Sequence, residues 1–153
     1  GYVDVARRYP LPQDLYAMRD TDEAWLIGLL DLLIANDDRF GGNWLMDRNG
    51  RPVAIDHGQS MADLGPRRAG QVRRGESDPG AGSSFAGRYV GSSRALEVTW
   101  KPHQLHPADL DAALSRLIAL MHEGVITEDE LEYMTAVIDM LRPGAKGTRR
   151  LIP

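Results

Sequence analysis

The sequence predicts an α+β fold, mainly helical, with one short β-hairpin. Three observations predict it: apolar residues at helical spacing from Trp25 to Ile34, two further helical stripes after Pro107, and a single Asn49-Gly50 pair flanked by short apolar runs.

The 153-residue chain is 42% hydrophobic and 26% charged, the balance of one globular domain with a modest core. Gly28 and Asp31 interrupt the longest apolar run, leaving no stretch of about 20 apolar residues to span a bilayer. No secretory signal is visible, so a cytoplasmic location is expected, with a secreted effector as the alternative. A formal charge of −4 argues against a dedicated nucleic-acid surface. With no cysteine, disulfides and thiolate metal sites are excluded. The chain starts at Gly1 rather than Met, and a longer natural protein is expected.

Residues 1–19, punctuated by Pro10 and Pro12, form an N-terminal extension. Asp20-Thr21-Asp22-Glu23 then opens a helix in the manner of a capping box. Trp25, Leu26, Leu29, Leu30, Leu33 and Ile34 follow at helical spacing, which predicts a central core helix ending near Ala35-Asn36. Residues 44–48 and 51–55 flank Asn49-Gly50, the pair best suited to a two-residue type I′ turn. Pro52 fits such a hairpin where its nitrogen faces away from the partner strand. Residues 59–93 are rich in Gly, Ser, Pro and Arg and poor in large apolar side chains, so a mobile loop is expected there.

Two helices close the chain as a hairpin over residues 107–142. The first starts at Pro107 and carries Leu110, Leu114, Leu117, Ile118 and Met121 on one stripe. The second opens with the capping box Thr127-Glu128-Asp129-Glu130, runs through Leu131, Met134, Ile138 and Leu141, and stops at Pro143-Gly144.

A two-residue turn at Asn49-Gly50 sets Asn43 opposite Asp56, with Cα atoms about 4.5 Å apart and side chains on one face. An amide oxygen beside a carboxylate suits Mg²⁺, a hard cation that takes one or two protein oxygens and completes its shell with water and phosphate. Asp38, five residues before Asn43, is close enough to act on an incoming hydroxyl. Arg39 is placed to pair with Asp38 or with phosphate, while Asp37 reads as a loop residue. His57 is expected to lie partly buried beside the site and is a further cofactor-binding candidate. His103 and His106 have a metal-clasping spacing but no evident third ligand. Arg67, Arg68, Arg73, Arg74 and Arg88 make the 59–93 segment either a recognition loop for an anionic substrate or a solvated loop.

The stretch Asp38-Arg39-Phe40-Gly41-Gly42-Asn43, followed by Ile55-Asp56-His57-Gly58, resembles the catalytic loop and metal-binding motif of the phosphatidylinositol 3- and 4-kinase-like superfamily. That superfamily includes bacterial kinases similar to HipA, and its pattern is Asp-Arg-His-x-x-Asn, a short hairpin, then Ile-Asp-Phe-Gly. The 18-residue separation of the two aspartates also fits, and the resemblance covers roughly residues 25 to 61. It implies a kinase-like C-lobe whose hairpin carries the metal site, with Mg²⁺ and ATP as cofactors. Asp38 would be the catalytic base or hydroxyl-orienting group, and Asn43 and Asp56 the Mg²⁺ ligands. The implied reaction is phosphorylation of a hydroxyl on a protein, lipid or small molecule.

Phe40 stands where the family has histidine, and His57-Gly58 where it has Phe-Gly. A complete kinase also has an N-terminal lobe with a phosphate-pairing lysine, yet Lys101 and Lys146 both follow the metal motif. The lobe is therefore expected in a longer chain, or replaced by a reduced clamp of Arg7, Arg8 or Arg19, and activity of the isolated fragment is in question. Antibiotic-type phosphotransferases are the nearest alternative, but they carry His-Gly where this chain has Asn36-Asp37. The same site is also compatible with AMP transfer. A non-catalytic, partner-binding kinase-like module is the alternative from a different class.

Overall fold

The computed structural model describes residues 14, 21–39, 42–62, 64–77, 83, 85 and 106–142. Among them are four α-helices and one two-stranded antiparallel sheet, an α+β arrangement. The helices are α1 (Asp22–Leu33), α2 (Pro66–Arg73), α3 (Pro107–His122) and α4 (Glu128–Leu141); the strands are β1 (Trp44–Met46) and β2 (Pro52–Ala54). None of the described helices is long and apolar enough to cross a membrane.

Helix α1 is capped by the Thr21 hydroxyl, which accepts from the Ala24 amide at 3.4 Å, and Asp22 and Glu23 place negative charge at its positive end. Its buried face is Ala24, Ile27, Gly28, Asp31 and Leu32. Leu26 and Leu30, expected in the core, are 53% and 40% exposed. The reason is that α1 is apolar nearly all round, so periodicity alone does not choose the face. The choice falls on the side where Ala24 and Gly28 allow close approach and where Asp31 meets a buried partner. The helix ends in a Schellman turn: Asn36 N–H donates to the Asp31 carbonyl at 2.9 Å and Ala35 N–H to the Leu32 carbonyl at 3.3 Å, with Ala35 at φ 49°.

The hairpin register differs by one residue from the expected one. Trp44 pairs with Ala54, Leu45 with Val53 and Met46 with Pro52. Arg48, Asn49 and Gly50 form a three-residue loop in which Gly50 N–H donates to the Asp47 carbonyl at 3.1 Å and Gly50 takes φ 75°. The Asp47 carboxylate selects this loop, because its Oδ1 accepts from the Asn49 amide at 2.9 Å and the Arg51 amide at 2.8 Å. Inter-strand bonds link Asp47 to Arg51 and Asn43 to Ile55, so Pro52 sits in a non-hydrogen-bonded pair where its missing N–H is harmless.

Two apolar clusters lie on either side of α1. The hairpin side joins Ala24 and Ile27 to Trp44 and Phe85, whose rings meet edge to face at 5.0 Å. The larger cluster packs Leu32 and Ala35 against Ala69 and Val72 of α2, Leu110 of α3, and Tyr133, Val137 and Ile138 of α4. Helix α2 lies inside the segment expected to be a mobile loop. Its two buried apolar side chains, Ala69 and Val72, with Leu64 just before the helix, are too few to stand out in the sequence but suffice for one face once α4 is present to bury them. Ser83 and Phe85 are also buried; the remaining residues of 78–93 lie outside the described residues. Thr127 and Glu130 form a reciprocal capping box at the start of α4. The extension over residues 1–19, apart from Asp14, and the stop at Pro143-Gly144 fall outside the described residues.

Candidate functional site

The segment between α1 and β1 is shaped by polar side chains that face inward. Asn36, fully buried, donates from Nδ2 to Asp31 Oδ1 at 3.2 Å and accepts the Asp38 amide on Oδ1 at 3.1 Å. One side chain thus ties the helix interior to the backbone of the candidate base. Asp38 is half-buried, and Asn43 Nδ2 donates both to its main-chain carbonyl and to its carboxylate Oδ2, the latter at 3.1 Å. With its nitrogen committed to Asp38, the Asn43 amide has Oδ1 as its remaining polar atom.

Arg39 does not occupy the role expected of it. Its side chain is completely buried, and all five N–H groups are engaged within the protein. Nε and Nη2 bind the Asp31 carboxylate at 3.1 and 2.9 Å; Nη1 donates to the carbonyls of Asn43, at 2.7 Å, and Ile55. Nη2 also lies 3.0 Å from His57 Nδ1. Pairing with Asp38 or with an incoming phosphate is therefore ruled out in this arrangement, because no N–H is left to donate. The main chains of Arg39 and Ser83 also form an isolated parallel bridge, and Ser83 Oγ donates to Asp31 Oδ2 at 2.6 Å.

In the observed register the position opposite Asn43 is held not by Asp56 but by Ile55, whose amide donates to the Asn43 carbonyl at 3.1 Å. In a continuing strand this slip would send the Asn43 and Asp56 side chains to opposite faces. The strand stops there, however, because Asp56 adopts φ 53° and its Oδ1 accepts the Gly58 amide at 3.2 Å. Ile55 rather than Asp56 is hydrogen-bonded opposite Asn43, so the two candidate ligands lie one residue out of register at the mouth of the hairpin. The donor set, one carboxylate and one amide oxygen, is all oxygen and suits Mg²⁺. Among the described residues no group of three His, Cys, Asp or Glu side chains could hold a metal ion.

His57 is exposed rather than partly buried. A guanidinium can only donate, so Nδ1 carries the lone pair and the ring proton resides on Nε2. Asp37 is exposed and pairs with Arg68 at 3.1 Å, while Arg73 pairs with Glu132 and Arg74 with Glu76. Three of the arginines read as anion-recognising candidates are thus occupied by carboxylates of the chain itself; Arg67 is exposed, and Arg88 and His103 lie outside the described residues.

Sequence reasoning missed Asp31, Asn36 and Ser83. The signal for Asp31 was its position as the one charged residue of α1 beyond the first turn; Ser83, 52 residues away, has no local signal. Comparison of the chain with models of known families, with curated proteins and with solved structures finds no match.

Proposed function

We propose that this chain carries the hydroxyl-activating and metal-holding half of an ATP- and Mg²⁺-dependent phosphotransferase, similar to phosphatidylinositol-kinase-like and HipA-like kinases. The observation that carries the reading is the double contact from Asn43 Nδ2 to the carbonyl and carboxylate of Asp38. It fixes the candidate base and turns the amide so that its oxygen is left for a cation.

In this reading Asp38 orients an acceptor hydroxyl and takes its proton. Asn43 Oδ1 and the Asp56 carboxylate hold Mg²⁺, which when bound neutralises charge developing on the ATP phosphates. His57 presents Nε2–H, a donor suited to a phosphate oxygen, because Nδ1 is kept by Arg39. The chain's contribution is positioning and electrostatic stabilisation rather than covalent chemistry. The acceptor is a hydroxyl of a protein, lipid or small molecule, and a lysine-bearing lobe from a longer chain would complete the phosphate grip.

The test is transfer of labelled γ-phosphate from ATP with and without Mg²⁺, alongside calorimetric titration of Mg²⁺-ATP. Asp38→Asn and Asp56→Ala should lower transfer by about 100-fold or more with the fold retained. Unchanged turnover in either variant sinks the reading. A partner-binding module is the second reading, favoured by the exposed Leu26 and Leu30 pair one turn apart on α1. It expects no nucleotide heat in the calorimeter and no nucleotide-dependent transfer.

A further inference from the structure

We infer that Asp31 is a positioning residue for this site, acting through Arg39 to set the spacing of Asn43 and Asp56; the inference rests on the phosphotransferase reading above. Arg39 touches neither candidate ligand's side chain. It touches the main chain of Asn43 and the two residues flanking Asp56, namely the Ile55 carbonyl and the His57 ring. One rigid planar group therefore fixes the start of β1 and both sides of Asp56 relative to each other. Asp31 fixes that group in turn. Its two oxygens accept from Arg39, from Asn36, whose own oxygen holds the Asp38 amide, and from Ser83.

Core stability alone does not call for such a pair. Burying two charges carries a desolvation penalty that apolar residues of similar volume avoid, and such replacements are often neutral or stabilising. What apolar residues lack is direction. Five N–H donors and a carboxylate with several lone pairs tie together segments that share no secondary structure: α1, the 36–39 loop, the two inner ends of the hairpin and Ser83. Misplacement of a reacting group by about 1 Å is enough to lose about 100-fold in rate, so a device that only sets distances has catalytic consequences.

Arg39→Lys keeps the charge against Asp31 but replaces a five-donor fork with three donors on one atom. Asp31→Asn keeps the shape and removes the charge. Tyr133→Phe serves as the stability control, since it breaks a buried hydrogen bond to the Leu32 carbonyl in the other cluster. Two quantities are read on the 153-residue chain: the resonances and hydrogen exchange of the Asn43 side-chain amide without metal, and kcat and half-saturating Mg²⁺ in phosphate transfer. In Arg39→Lys and Asp31→Asn the amide should lose its protection, kcat should fall by about 100-fold and half-saturating Mg²⁺ should rise by about tenfold. Tyr133→Phe should lower the melting temperature and move neither readout. A folded Arg39→Lys or Asp31→Asn with an unchanged Asn43 amide overturns the inference, as does a Tyr133→Phe control that shifts it equally. Absence of transfer in the wild-type chain would instead remove the phosphotransferase reading, and the amide readout would still decide whether Asp31 sets the geometry.

Discussion

The Arg39 guanidinium lies 2.9 Å from the Asp31 carboxylate, with neither side chain exposed to solvent. Each charge is tolerated because the other is there. Truncating Arg39 to methionine leaves the carboxylate buried and strips the Asn43 and Ile55 carbonyls of a donor. The expected loss is about 3–5 kcal/mol, read from the midpoint of urea unfolding. A change below about 1 kcal/mol would mean that water or a rearranged neighbour replaces the guanidinium with little penalty.

Features written within a few consecutive residues were legible in the sequence. The Thr127–Glu130 capping box and the Pro107 helix start depend on local chemistry, and so does the existence of a hairpin around Asn49-Gly50. Its register was not legible, because Asn49-Gly50 favours a two-residue turn while Asp47, two residues earlier, offers a carboxylate that stabilises a three-residue loop. Local preference and side-chain capping competed, and the cap won. Helix α2 was hidden for a different reason: its face of Ala69 and Val72, extended by Leu64 just before it, gains its stability only from α4, more than 50 residues later. At the site, Asp38, Asn43 and Asp56 stood out by spacing, whereas the burial of Arg39 follows from Asp31 and Ser83, which no short window contains together with it.

The corrected turn makes a graded prediction. Asn49 has no positive φ and its side chain is not required by the loop, so Asn49→Ala should change stability by only a few tenths of a kcal/mol. Gly50 sits at φ 75°, and Gly50→Ala should cost about 1 kcal/mol. Asp47→Ala should cost about 1 kcal/mol through loss of its two backbone contacts. Thermal melts of the three variants check the ranking. An Asn49 effect as large as that of Gly50 would restore the two-residue turn.

Gly58 offers a way to move one candidate ligand with little effect on the core. A Cβ built there would lie 3.2 Å from Asp56 Oδ1, the oxygen that the Gly58 amide holds. The contact is tight, and the exposed carboxylate is the part free to yield. Gly58→Ala should therefore turn Asp56 away and raise half-saturating Mg²⁺ by about tenfold, while the melting temperature stays nearly constant. Equal Mg²⁺ dependence in the two proteins would mean that the Asp56 orientation set by Gly58 is irrelevant to the metal.

Tyr133 links the packing of α4 to pH. Its ring is fully buried, its hydroxyl donates to the Leu32 carbonyl at 3.0 Å, and the Arg68 guanidinium lies 5.5 Å from the ring centroid. Burial pushes the phenol well above the ordinary tyrosine range, outweighing the opposing pull of Arg68. A raised value in the folded state means that the native protein keeps its proton while the unfolded chain releases it. The contribution is therefore complete below about pH 10 and declines as pH rises past the unfolded value, at up to about 1.4 kcal/mol per pH unit. Tyr133→Phe has no proton to lose there. It should be less stable than the wild type at neutral pH by about 1–3 kcal/mol, because the Leu32 carbonyl loses its donor, and the gap should narrow above pH 10. Urea unfolding from pH 7 to pH 11 on both proteins measures it, and a constant gap across that range would show that the Tyr133 phenol ionises as easily in the folded chain as in the unfolded one.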